Sequence, residues 1–232
     1  MSESADLKYG FVVGVLQKPA ESREVRELVE IDRLVRREDA LLRSGPAVDL
    51  GVAEMAGIND PNWCMGIVAV DLQSRRYVGY MSVHRMVTLC RGAKIEIEEV
   101  VSHPEFDGRG VGKAVMAVAL QESHGRWGAR KATLTSRASR VAARGLYAAF
   151  GFKQQGEGDQ FVLKFDDGHW APPESARPRL WSDVDREEHG AFWHMGREMQ
   201  YAVSQICAGT LASMSSWNII EPIGVYRYKD VL

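Results

Sequence analysis

Apolar and polar positions follow different rhythms along the chain, and each change of rhythm marks an element. Residues 9–18, YGFVVGVLQK, form an apolar run rich in β-branched side chains, as a buried first strand requires. Pro19 ends it. From Glu21 to Leu42, Val25, Leu28, Val29, Ile31, Leu34, Val35, Leu41 and Leu42 recur at three- and four-residue spacing among charges, which predicts an amphipathic helix closed by Ser44-Gly45-Pro46. Two further apolar runs, 63–72 and 76–87, flank the polar turn Gln73-Ser74-Arg75 and read as a hairpin.

The next run, AKIEIEEVVS at 93–102, breaks its own rhythm. Ile95 and Ile97 alternate with Glu96 and Glu98, but Glu99 then falls on the isoleucine face and Val100 and Val101 are both apolar. A strand of period two must either bury that carboxylate or insert a residue, so a β-bulge is expected near Glu98-Glu99. After His103-Pro104, glycines open a helix with Val111, Val115 and Val118 on one face. A short strand, 131–136, leads to a second helix over about 139–150, which Gly151 ends. Residues 152–165 read as a last hairpin turned at 156–159. Together these make a mixed α/β domain over residues 1–166.

Residues 167–232 differ in character. DDGHWAPPESARPRL reads as a proline-containing linker, and Ser182 caps an amphipathic helix of about 182–208 whose apolar face carries Phe192, Met195, Met199, Val203 and Ile206. The end of the chain, with Trp217, Ile219, Ile220, Val225, Tyr226 and Tyr228, is too apolar for a disordered tail. This extension is expected to pack on the core or across a dimer partner.

Composition narrows the function classes. With 29 basic and 31 acidic side chains the net charge is -2, so no overall field draws nucleic acid or an acidic membrane. Cys64, Cys90 and Cys207 match neither a zinc spacing nor a disulfide framework. No signal peptide or membrane-spanning run is evident, and the expected location is cytoplasmic. His169, His189 and His194, with Glu187 and Glu188, lack the H-E-x-x-H spacing, so no metal is expected.

The candidate chemistry lies in the middle of the chain. Asp107-Gly108-Arg109-Gly110-Val111-Gly112-Lys113 stands between a strand and a helix. Glycines there let backbone N–H groups approach an anion at the positive end of the helix dipole, and a pyrophosphate is the natural guest. Residues 95–114, IEIEEVVSHPEFDGRGVGKA, resemble the acetyl-CoA loop of the GNAT superfamily of N-acetyltransferases, with Gly108, Gly110 and Gly112 in place and Asp107 standing where Arg or Gln is usual. Residues 134–152, LTSRASRVAARGLYAAFGF, resemble that family's later A-x-x-L/F-Y-x-x-x-G-F segment through Ala143, Leu146, Tyr147, Gly151 and Phe152, with Arg140 where Asn is common.

The resemblance implies a mostly antiparallel central sheet with a splayed, bulged strand flanked by helices. It implies acetyl-CoA as co-substrate, its arm and carbonyl met by the backbone of Val100, Val101 and Ser102, and its anionic end by the glycine loop with Arg109, Lys113 and Arg140 at hand. Tyr147 would give a proton to the departing thiolate. Glu98 is the first candidate to receive the amine's proton, with Glu96 and Glu99 as rivals. The acceptor is expected to be a small-molecule amine. A protein lysine or N-terminal acetyltransferase, or a non-catalytic acyl-CoA-binding scaffold, are the competing readings.

Overall fold

The computed structural model describes residues 10–16, 60, 62–165, 170–178 and 220–227, together with Ile31. Its strands are β1 Gly10–Leu16, β2 Cys64–Asp71, β3 Tyr77–Thr88, β4 Gly92–Ser102, β5 Lys131–Thr135, β6 Lys153–Gln154, β7 Gln160–Lys164 and β8 Ile220–Arg227. They form one sheet in the order β6-β7-β5-β4-β3-β2-β1-β8. Every ladder is antiparallel except β4–β5. Helix α1, Val111–Trp127, connects β4 to β5, the crossover that a parallel pair requires. Helix α2, Val141–Ala149, connects β5 to the terminal hairpin.

Burial follows the sequence rhythm. Strands β1 and β2, which do not alternate, are buried at every position. On β4, which does alternate, Ile95 and Ile97 are buried while Glu98 is exposed. Val13, Ile67, Met81, Ile95 and Ile97 meet α1 in one core. Helix α1 lies very close to the sheet because β3 has a glycine beneath it: a Cβ on Gly79 would come within 2.6 Å of Val111 Cγ1. Its burial exceeds the one valine face that the sequence suggests, since all of Ala114, Val115, Met116, Ala117, Val118, Ala119 and Leu120 are buried. The small alanines let neighbouring elements close on several sides of the helix.

Two stretches beyond residue 166 join this core. The described residues 170–178 are more than a linker: Trp170 stands edge-on to Phe165 at 5.7 Å, Ala176 is fully buried, and the Ser175 carbonyl accepts from Lys113 Nζ at 3.0 Å. Strand β8 pairs with β1 along its length, and Tyr226 stacks on Phe11 with ring centroids 5.6 Å apart. The expected helices at 21–42 and 182–208 lie outside the described residues, except that Ile31 is helical and buried.

Candidate active site

The expected bulge is present and its position is defined. In the β3–β4 ladder Tyr80 pairs with Val101 and Ser82 with Glu98, so Met81 alone faces both Glu99 and Val100. The extra residue is absorbed at Glu99, whose φ of 51° is left-handed and costs a non-glycine residue about 1 kcal/mol or more. The turn keeps the Glu99 carboxylate exposed instead of buried among the isoleucines. Ser82 Oγ donates to Glu99 Oε2 at 3.2 Å, and the buried Tyr80 hydroxyl is a further partner of that carboxylate. Neither Tyr80 nor Ser82 stands out in the sequence, because their role depends on the strand register. The Cys64 thiol beside them is pushed up to about 11, first by burial and then by the Glu99 charge, so it stays protonated.

Beyond the bulge the sheet opens. Strands β4 and β5 pair only at Ile95–Ala132, Glu96–Thr133 and Ile97–Leu134. From Glu98 onward β4 follows β3, while β5 stays with β7. His103 N–H donates to Val78 O at 2.9 Å. By the alternation of an antiparallel ladder, the Val101 amide is used toward β3 and the Ser102 amide turns the other way, toward the opening.

The glycine loop lies at the end of this strand. His103 caps a short 3₁₀ turn, Pro104–Phe106, by accepting from Glu105 N–H. Gly108 and Gly110 both have positive φ, 74° and 94°, and a Cβ at either would meet nothing within 4 Å, so open space lies above the loop. The first intrahelical bond of α1 runs from Ala114 N–H to Gly110 O, which leaves the N–H groups of Val111, Gly112 and Lys113 outside the helix ladder. The N-cap residue, Gly110, has no side chain to cap them. Asp107 has a structural role in place of the usual Arg or Gln: it accepts from Ser102 Oγ at 2.9 Å and ties the loop to the opened strand. Arg109 lies over the Phe106 ring at 5.5 Å, and Lys113 is bonded to Ser175.

Tyr147 comes from α2 and is 2% exposed, set against Phe152 and Phe161 with ring centroids 6.1 and 5.9 Å away. Burial raises its pKa above the ordinary tyrosine value. The nearby Arg140 charge opposes that rise and the Glu98 charge adds to it. Arg140 therefore acts on Tyr147 from the N-cap of the same helix. The pKa of Glu98 is raised as well, first by partial desolvation and then by Glu96, against the opposing effect of His84 and with a further push from Glu99. The structure thus brings Glu98, Tyr147 and Arg140 into electrostatic contact around the opening between β4 and β5. Glu96 and Glu99 flank them.

Comparison with known proteins agrees with this geometry. The family model described as acetyltransferase (GNAT) family matches residues 35–152, just over half of the chain. No curated protein matches the sequence. Among solved structures, the fold is similar to the PaiA N-acetyltransferase of Thermoplasma acidophilum in complex with coenzyme A, at 12% identity and TM-score 0.52, over 66% of this chain and 99% of that one. It is also similar to a GNAT-family acetyltransferase of Staphylococcus aureus Mu50 (11% identity, TM-score 0.51, 66% and 99% coverage). A transcriptional regulator of Bacillus halodurans C-125 matches at 24% identity and TM-score 0.50, again over 66% and 99%. With a bulged strand splayed from its parallel neighbour, a glycine loop opening the next helix, and a family match that spans both, the chain belongs to the acetyltransferase (GNAT) family.

Proposed function

We propose that the protein is an N-acetyltransferase that moves acetyl from acetyl-CoA to the primary amine of a small molecule, by direct attack in a ternary complex. The observation that carries this reading is the opening between β4 and β5, with the amides of Val111, Gly112 and Lys113 outside the helix ladder at one end and Glu98 near enough for its charge to act on Tyr147 beside it. Acetyl-CoA supplies an activated thioester acyl group. The open loop and its uncapped amides fit a pyrophosphate, held by the backbone of Gly108, Gly110, Val111, Gly112 and Lys113. The backbone of 100–102 beside the opening would align the arm, and a strand amide turned toward the opening would stabilise negative charge on the acyl oxygen. Glu98 accepts the proton that the substrate ammonium must lose before the amine attacks, and its raised pKa makes it a better proton acceptor than an ordinary glutamate. Tyr147, raised above its ordinary value, keeps its proton until the thiolate leaves.

Three carboxylates, Glu96, Glu98 and Glu99, favour a cationic amine at this site. The preference for a small acceptor rests on a net charge of -2, which gives no long-range field for a basic protein tail. Acetyl-CoA should raise the thermal midpoint, with protection of about 2.7 kcal/mol at a hundred times its Kd. Free thiol should appear with at least one member of a panel of amino acids, amino sugars, aminoglycosides and peptides. Tyr147→Phe should lower kcat about a hundredfold while leaving acetyl-CoA affinity nearly unchanged. No thermal shift at millimolar acetyl-CoA would overturn both the catalytic and the CoA-binding readings. Turnover of peptides alone would replace the small-molecule acceptor with a protein one.

A further inference from the structure

We infer that the Ser136 hydroxyl is a hydrogen-bond partner for an amide of the pantetheine arm, an inference that rests on the acetyl-CoA reading above. Ser136 directly follows β5 and is 3% exposed. Its backbone is fixed on both sides: the N–H donates to Asp159 O at 2.9 Å, and the carbonyl accepts from Arg144 Nη1 at 3.2 Å. Its Oγ is nonetheless buried with no hydrogen-bond partner among the described residues. A buried hydroxyl left unpaired is destabilising, and alanine would fill nearly the same space without that cost. Ala132 and Leu134, the preceding residues of the same face of β5, are apolar and belong to the core. A polar group at the next position of that face has no packing rationale.

Its place in the fold supplies one. Ile97 and Leu134 are the last pair that β4 and β5 make, and Ser136 lies two residues further along β5, where the strands have parted. Across the opening is the β4 segment that carries Val100, Val101 and Ser102. An arm lying along that segment brings amide carbonyls and N–H groups past β5, and a serine hydroxyl can serve either as donor or as acceptor. The ligand, rather than the protein, completes this hydrogen bond. Because the backbone is already held by Asp159 and Arg144, the hydroxyl is in place before the arm arrives.

The test is Ser136→Ala in the full chain, with three measurements. The thermal midpoint of the free protein should stay the same or rise. By calorimetry, CoA should bind about tenfold more weakly, equivalent to about 1.4 kcal/mol. Adenosine 3′,5′-bisphosphate, which has the nucleotide end of CoA but no arm, should bind both proteins equally. Ser136→Cys, with a weaker donor of similar size, should fall between serine and alanine in CoA affinity. Unchanged CoA affinity, or an equal loss for CoA and the bisphosphate, would overturn the inference. So would a lower midpoint for the free alanine variant, which would mean that a bound water already satisfies the hydroxyl. Failure of the wild-type protein to bind CoA would overturn the acetyl-CoA reading itself, and is distinguishable because it appears before any substitution is made.

Discussion

Adjacent glutamates on β4 acquire different surroundings because the extra residue of the β3–β4 ladder is absorbed at Glu99. Glu99, turned at a φ of 51°, is engaged by Ser82 and Tyr80, whereas Glu98 interacts with Glu96, His84 and Tyr147. If Glu98 must lose its proton before it can accept one from the amine, activity falls as pH drops through its pKa. The like charge of Glu96 raises that pKa, so Glu96→Gln should move the acid limb of kcat/KM to lower pH, and a limb that stays in place would remove Glu98 as the base. The break in alternation made this pair visible in the sequence. Which glutamate is engaged by Tyr80 was not visible, since that follows from the register of a strand some twenty residues earlier.

At the scale of elements, helix α1 is positioned by the absence of a side chain on another strand. Gly79 lets the first turn of α1 rest on β3, and a methyl group there would come within 2.6 Å of Val111 Cγ1, the tip of a short, buried, branched side chain with little room to move. Gly79→Ala should therefore destabilise the protein by about 1–3 kcal/mol in denaturant unfolding. It should also raise the KM for acetyl-CoA, because the shift begins at the residue that opens the helix. Unchanged stability and KM would show that the contact relaxes without cost. The helix and its opening glycines were legible from local chemistry. Its burial on several sides was not, because the alanines that permit it are also ordinary helix formers.

Across the whole molecule, the C-terminal end completes the sheet begun at residue 10. Strand β8 covers the outer edge of β1, and Tyr226 is buried against Phe11. Tyr226→Ala should cost about 3–5 kcal/mol by loss of the buried ring, and should leave β1 prone to pairing with other chains. Denaturant unfolding together with light scattering would measure both effects, and a wild-type midpoint without association would refute this role. Among the described residues no helix is long and apolar enough to cross a membrane.

The sequence by itself determined the features that depend on neighbours a few residues apart. Strands β1 to β4 came from period-two or unbroken apolar runs, the helix start from glycines beside a strand end, and the bulge from a carboxylate on an apolar face, whereas β8 was read only as a stretch too apolar for a disordered tail. Tertiary structure decided what depends on residues far apart in the chain. It turned Lys113 toward Ser175 and set Tyr147 within the influence of Glu98. It also left Ser136 with an unanswered hydroxyl at the opening of the sheet. These arrangements rest on strand order and register, which many distant contacts fix together and no local pattern encodes.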